Sequence, residues 1–263
     1  MSKQIFVSNR LPVTANKKNN EINFNMSIGG LATGLKSYHQ QGDALWIGWP
    51  GIDKEQLNDE QTAYIDQQML KTYQCAPVYL TKKDIDLYYE GFSNKTIWPL
   101  FHYFTEKAEH NLTTWKRYKK VNQLFFDTIK KHIEKDSTIW IHDYQLMLLP
   151  QMIRQTYPYV KIGFFLHIPF PSYEVFRLLI WKKELLEGLL GSDLIGFHTY
   201  DYVRHFLSSV RRILNINHEL YQFKHDHRTI SVDAFPMGID YEFFHSQKPA
   251  KKTKNPYQII LSV

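Results

Sequence analysis

The chain predicts an α/β fold built on a doubly wound, mostly parallel sheet. Short apolar runs recur at 5–7, 44–49, 76–80, 138–141, 162–166, 194–197 and 229–235, each bounded by polar or turn residues. Between them lie segments whose apolar residues are spaced three or four apart, the period of one buried helix face. Strand and helix signals alternate throughout, which is the pattern of a parallel sheet with helices packed on it. The chain has 263 residues, of which 43% are hydrophobic, enough for one large α/β domain or two small ones.

Each element has a local reason. The run 5–7 is apolar and stops at Ser8-Asn9-Arg10. Residues 16–25 are polar and read as a loop. Gly29-Gly30 opens a helical segment, 31–39. The strand at 44–49 is closed by Pro50-Gly51, and residues 55–70 read as a polar-faced helix. Thr81 and Asp84 have capping-box spacing, with Asp in place of the usual Glu, and start a helix through Leu87 and Tyr88. The longest helix spans 111–135, with Trp115, Tyr118, Val121, Leu124, Phe125, Ile129 and Ile133 along one face. A helix at 145–155 joins the strands 138–141 and 162–166. Ser172 caps a helix carrying Val175, Phe176 and Leu179. The helix 200–214 precedes the strand 229–235. Residues 248–256 are basic and flanked by prolines, which is linker composition. The strand-like 257–263 follows and reads as the first strand of a second domain.

Composition excludes several classes. One cysteine, Cys75, leaves no disulfide within the chain, and the N-terminal apolar run is too short for a signal peptide. No apolar stretch of about 18 residues is present, so no membrane span is predicted. A cytoplasmic location is the resulting expectation. The net charge of +6 suits anionic partners, but there is no Arg-rich block and no nucleic-acid motif. The expected partners are therefore phosphorylated small molecules rather than nucleic acid or membrane.

Candidate chemistry gathers at strand ends, where open parallel sheets bind ligands. Arg10 follows the first strand, where it suits a phosphate clamp or an ordinary loop arginine. The glycine-rich segment 29–34 opens a helix, so its amides suit a diphosphate or simply a tight turn. Asp84-Ile85-Asp86 has the form of a metal-binding D-x-D, but acidic residues also suit the first turn of a helix, the reading preferred here. His225-Asp226-His227 reads as a solvated turn. Tyr89 and Trp98 flank a Gly-containing stretch and fit either a sugar pocket or packing. Asp143 and His167 end two adjacent strands. They are placed to touch a sugar, or to make a helix-capping Asp and a His-Pro turn.

Eight segments, in order, together resemble one family. They are SNRLPV (8–13), GGLATGL (29–35), WIGWPG (46–51), YYEGFSNKTIWPLFHY (88–103), WIHDYQLMLLP (140–150), GFFLHIPFPSYEVFR (163–177), DLIGFHTYDYVRHF (193–206) and FPMGID (235–240). The pattern is similar to that of the trehalose-6-phosphate synthases, retaining glycosyltransferases of family 20, and it spans nearly the whole chain. The resemblance implies the N-terminal half of a GT-B enzyme, with two Rossmann-like domains and a cleft between them. It also implies glucosyl transfer from UDP-glucose to glucose 6-phosphate, with UDP-glucose a co-substrate and no cofactor or metal. On this reading residues 1–247 are the acceptor-binding domain. Residues 248–263 are the linker and first strand of a donor-binding domain.

Carried over motif by motif, Arg10 grips the acceptor phosphate, Tyr89 and Trp98 complete that pocket, and Trp49 is a further candidate. Asp143 binds acceptor hydroxyls. His167 contacts the donor glucose near the reacting centre. Gly30, with Gly29 beside it, approaches the donor diphosphate. The family's remaining diphosphate clamps lie beyond Val263, in a C-terminal domain of the same protein. The chain alone is therefore expected to be inactive or nearly so. A homo-oligomer, a non-catalytic regulatory relative and a sister transferase with another phosphorylated acceptor remain as further readings.

Overall fold

The structure is a computed structural model, in which residues 3–27, 44–238 and 245 are described. Gly29, Gly30, the helix expected at 31–39 and the whole of 248–263 lie outside them.

An eight-stranded sheet forms the centre. Its strands are β1 (Gln4–Arg10), β4 (Ala44–Trp49), β5 (Cys75–Pro77), β6 (Thr138–His142), β7 (Lys161–Phe165), β8 (Leu194–Phe197), β9 (Gln222–His225) and β10 (Arg228–Ala234). Their order is β5-β4-β1-β6-β7-β8-β10-β9. All pairings are parallel except β9 with β10. The central strands are buried on both faces, which is why β1 and β4 read as continuous apolar runs rather than alternating ones. From β1 the chain winds outward to β4 and β5, then returns to β6 on the other side. The order therefore reverses between β1 and β6, and a crevice opens at their carboxyl ends.

Helices cover the sheet: α1 (Asp59–Tyr73), α2, α3 (Leu112–Ile129), α4 (Leu149–Thr156), α5 (Tyr173–Phe176), α6 (Lys182–Leu189) and α7 (Tyr200–Leu214). Here α2 comprises Lys82–Asp84, Ile85–Ile97 and Trp98–Phe101 in succession. Its start is the expected reciprocal cap, Thr81 accepting from the Asp84 amide while Asp84 accepts from the Thr81 amide. The longest helix ends at Ile129, short of the expected 135, and buries Trp115, Tyr118, Val121, Phe125 and Ile129 as its periodicity requires. Ser172 occupies the N-cap position of α5, but its side chain makes no capping bond. The helix expected at 145–155 is divided into a 3₁₀ turn, Tyr144–Leu146, and α4, which carries Pro150 in its first turn. Proline there is pre-set for helix and lacks only an amide that would have had no partner.

One hairpin departs from the expectations and another bears one out. Residues 16–25 are not a loop: β2 (Val13–Lys18) and β3 (Glu21–Met26) pair antiparallel. Asn19 and Asn20 connect them with φ of 49° and 68°. Two positive φ values in a two-residue connection match the strand twist, and asparagine tolerates them. Asp226 and His227, at 46° and 61°, make the same kind of turn between β9 and β10, so that motif is indeed a turn. The strand expected at 76–80 is confined to Cys75–Pro77.

Below the sheet, at the amino ends of β7 and β8, Asp193 gathers three donors. Arg154 Nη2 reaches Oδ2 at 2.7 Å, Arg228 Nη1 reaches Oδ1 at 3.2 Å, and the Ile162 amide donates to Oδ2 at 2.8 Å. Removing this carboxylate leaves the buried Arg154 charge without its counter-ion, while its bonds to three carbonyls persist. Asp193→Ala is expected to lower the unfolding free energy by about 2–3 kcal/mol, read from urea denaturation. A loss below about 0.5 kcal/mol would show that the cluster is no better than a surface ion pair.

Candidate active site

The site begins with a defect in β1. Val7 pairs with Ile47 of β4, but Arg10 pairs with Trp49, so β1 carries one residue more than β4 over this span. A bulge of this kind re-aims the side chain that follows it. Several contacts hold it. Trp46 Nε1 donates to Ser8 Oγ at 2.7 Å, Ser8 Oγ donates to the Arg10 carbonyl at 2.7 Å, and Tyr88 Oη donates to Asn9 Oδ1 at 3.1 Å. Gly48 permits the approach, since a Cβ there would lie 2.7 Å from the Ser8 carbonyl oxygen.

Arg10 consequently lies over two aromatic rings. Its guanidinium carbon is 4.9 Å from the Trp49 centroid and 5.6 Å from that of Tyr89. Trp49 is itself fixed by a 3.0 Å bond from Nε1 to the Ile52 carbonyl. Among the described residues no carboxylate pairs with Arg10. An arginine held by ring faces, with no described carboxylate on its fork of donors, is suited to an anion.

Tyr89 stands on the part of α2 that winds as a π-helix, Ile85–Ile97. With bonds running i→i+5, a turn takes roughly 4.4 residues. Nine residues then make about two turns, which brings Tyr89 and Trp98 nearly into line; in an α-helix they would point to opposite sides. Trp98 is 40% exposed and stacks on His102 at 4.1 Å. Asn94, between them, accepts from Tyr144 Oη at 3.0 Å and so ties α2 to the segment after β6. The two carboxylates of the D-x-D are engaged locally: Asp84 with Thr81 and Arg117, Asp86 with Lys82.

Asp143 follows β6 in a backbone conformation, φ 77° and ψ 168°, that glycine alone adopts freely. That conformation costs about 1–3 kcal/mol and persists only where surroundings impose it. Here the Asp143 amide donates to the Phe165 carbonyl at 2.8 Å, and Oδ1 accepts from the His167 amide at 3.2 Å. Behind it, α3 satisfies the following backbone: Tyr118 Oη donates to the Tyr144 carbonyl at 2.7 Å, and Asn122 donates to the Gln145 carbonyl at 3.1 Å. The carboxyl is partly accessible yet ringed by protein, and this desolvation raises its pKa to about 7.

His167 is the second residue of the loop after β7, packed against two further imidazoles. His142 Nδ1 lies 3.1 Å from His167 Nε2, and the His198 ring meets His167 edge-on at 5.6 Å. Burial depresses His142 to about 3 and His167 to about 4, and lowers His198. Neutral rings at pH 7 are hydrogen-bonding groups, not charges.

Arg10, Trp49, Asp143 and His167 therefore sit at the carboxyl ends of four adjacent strands, β4, β1, β6 and β7. Tyr89 and Trp98 are supplied by α2. Asn94, Tyr144, His142 and His198 were not among the expected site residues. The rule that selects polar residues at strand ends also selects His142 and His198. Nothing local in the sequence selects Asn94 or Tyr144, whose bond joins two separate elements.

Asp143 holds its proton more tightly in the folded chain than in the unfolded one. The stability tied to it is complete below the ordinary pKa of 3.8 and is lost as pH rises toward about 7. Asp143→Asn keeps the shape and the acceptor oxygen but cannot ionise. Relative to the unsubstituted chain it is expected to gain on the order of 2 kcal/mol between about pH 4 and about pH 8, after allowance for partial exposure. Urea denaturation at the two pH values measures this, and a pH-independent difference would refute the raised pKa.

Comparison with known proteins places the whole chain. The family model described as glycosyltransferase family 20 matches residues 2–261. The α,α-trehalose-phosphate synthase (UDP-forming) 56 kDa subunit of Kluyveromyces lactis is 45% identical over 247 residues, covering 91% of this chain and 50% of the relative. The N-terminal domain of Candida albicans trehalose-6-phosphate phosphatase superposes with a TM-score of 0.77 at 30% identity, covering 92% of this chain and 50% of that one. A UDP-forming α,α-trehalose-phosphate synthase from Burkholderia xenovorans, in complex with glucose 6-phosphate, does so with a TM-score of 0.73 at 28% identity, covering 91% and 50%. The chain spans about half the length of the curated relatives it matches. Its fold is the N-terminal, Rossmann-like half of the GT-B architecture. With a family match over nearly its entire length, the chain belongs to glycosyltransferase family 20.

Proposed function

We propose that this chain is the acceptor-side half of a retaining glucosyltransferase that moves glucose from UDP-glucose to glucose 6-phosphate, giving α,α-trehalose 6-phosphate and UDP. The observation that carries the reading is Arg10, held over Trp49 and Tyr89 with no carboxylate partner among the described residues, on the same sheet edge as Asp143. The names of the relatives support the product and the leaving group, and the glucose 6-phosphate complex of one of them supports the acceptor.

In this reading Arg10 takes the acceptor phosphate and Tyr89 and Trp98 wall its pocket. Asp143 accepts hydrogen bonds from acceptor hydroxyls. His167 donates to or accepts from a hydroxyl of the donor glucose. Gly30, with Gly29, brings its amide to the donor diphosphate. Retention needs no protein nucleophile here: the leaving diphosphate oxygen takes the acceptor proton on the face of attack. The protein positions two sugars and stabilises the leaving charge. No cofactor or metal is assigned a step, and the D-x-D carboxylates already have partners. Further donor-phosphate cations come from the second half that the family supplies.

A second reading, a non-catalytic family member, draws on the likeness to the phosphatase N-terminal domain. The simultaneous presence of Arg10, Tyr89, Trp98, Asp143 and His167 favours transfer. UDP release from UDP-glucose with glucose 6-phosphate, measured on a protein that carries both halves, separates the two readings.

Arg10→Ala is expected to weaken glucose 6-phosphate binding to this chain roughly 10- to 100-fold, from about 1.5–3 kcal/mol for a charged hydrogen bond. Unchanged binding by titration calorimetry would remove Arg10 from the site. In the two-half protein, His167→Ala is expected to lower turnover more than it raises the acceptor KM; an equal effect on both would point to a structural role instead.

A further inference from the structure

Within the imidazole cluster, one ring has no route to a substrate. His142 is 2% exposed, and its ring is covered by Phe6, stacked at 6.4 Å and 16°, and by Trp140 at 5.3 Å. Its backbone is fixed in β6, paired with Phe165 of β7. The ring has two nitrogens to satisfy. Nδ1 faces His167 Nε2 at 3.1 Å, whereas Nε2 is buried with no hydrogen-bond partner among the described residues.

A neutral imidazole carries one N–H and one bare nitrogen. Both rings are neutral at pH 7, since burial holds their pKa near 3 and near 4. Two arrangements of the pair are then open. In one, His142 carries its proton on Nε2, where it is a buried donor without an acceptor. In the other, the proton is on Nδ1 and is used, and only a bare lone pair is left at Nε2. Buried orphaned N–H groups are rarer than under-used acceptors, so the second arrangement is the stable one. It also determines the neighbour: a His167 Nε2 that accepts must be bare, which puts the His167 proton on Nδ1.

We propose that His142 is a positioning residue: its Nδ1–H donates to His167 Nε2 and holds His167 as the Nδ1–H tautomer, turned to donate to an oxygen of the bound donor sugar. The identity of that oxygen's owner rests on the function proposed above; the tautomer does not. Which ring nitrogen bears the proton is set by the bond that the other one makes, and here that bond is to a second imidazole instead of the usual carbonyl or carboxylate. The consequence for recognition is that His167 selects an acceptor oxygen on the sugar.

The test uses the chain with ¹⁵N-labelled histidine and no substrate, so its failure is separable from failure of the functional reading. Long-range ¹H–¹⁵N spectra at neutral pH are expected to show both His142 and His167 protonated on Nδ1 and bare on Nε2, the less common form of free imidazole. A scalar coupling between His142 Nδ1 and His167 Nε2 is expected across the bond. A His167 protonated on Nε2 would overturn the proposal. His142→Asn, whose amide N–H₂ stands near the Nδ1 position, is expected to retain the His167 tautomer. His142→Phe is expected to abolish the coupling and shift His167 toward the Nε2–H form. A His167 spectrum unchanged by His142→Phe would also overturn it. Should His142→Phe fail to fold, the unsubstituted chain decides alone.

Discussion

The site depends on the reversal of strand order between β1 and β6. Chain leaving β1 goes on to strands on one side of it and chain leaving β6 to strands on the other, so the order reverses at the gap between them. Parallel pairing of β1 with β6 then sets the spacing of what stands there: Val7 opposite Ile141 places Arg10 and Asp143 on neighbouring strand ends. Each residue is further held from behind. The bulge in β1 is pinned by Trp46 and Tyr88, and the turn after β6 by Tyr118 and Asn122. All four of these are buried or nearly so, and they belong to the core as much as to the site.

The cost of the arrangement is concentrated at Asp143. It combines a backbone geometry suited to glycine with a carboxyl that the surroundings desolvate. A sequence selected for stability alone would place glycine or asparagine there. The chain carries an aspartate there against two unfavourable terms, a combination that clusters at functional sites. Arg10 is the opposite case. It is exposed, costs little, and is positioned by the rings it rests on rather than by burial.

Much of this was legible in the sequence, for a simple reason. Strands that are buried on both faces read as apolar runs, and in a parallel sheet the first polar residue after such a run is at the ligand-binding edge. That logic points to the polar residues after each run, Ser8 to Arg10, His142 with Asp143, and His167, and the family motifs single out Arg10, Asp143 and His167 as candidates among them. It fails where a position is decided by a distant element. The extra residue in β1 is invisible without Trp46 and Tyr88 reaching Ser8 and Asn9. The β2–β3 hairpin was read as a loop because its polar residues face outward on both strands, and only Asn19-Asn20 marks the turn. The glycine-rich segment with Gly29 and Gly30 lies outside the described residues, and its role stands as proposed.

On the function proposed above, the π-winding of Ile85–Ile97 has a consequence for how acceptor selectivity can change over time. The angular offset between Tyr89 and Trp98 is set by the pitch of the helix between them, not by either side chain. Loss of a single residue in that interval would favour α-winding and swing one aromatic wall away from the other while every binding residue kept its identity. Length variation in this short interval is therefore a route to a different acceptor that leaves the rest of the domain untouched, and an alignment of binding residues alone would not register it.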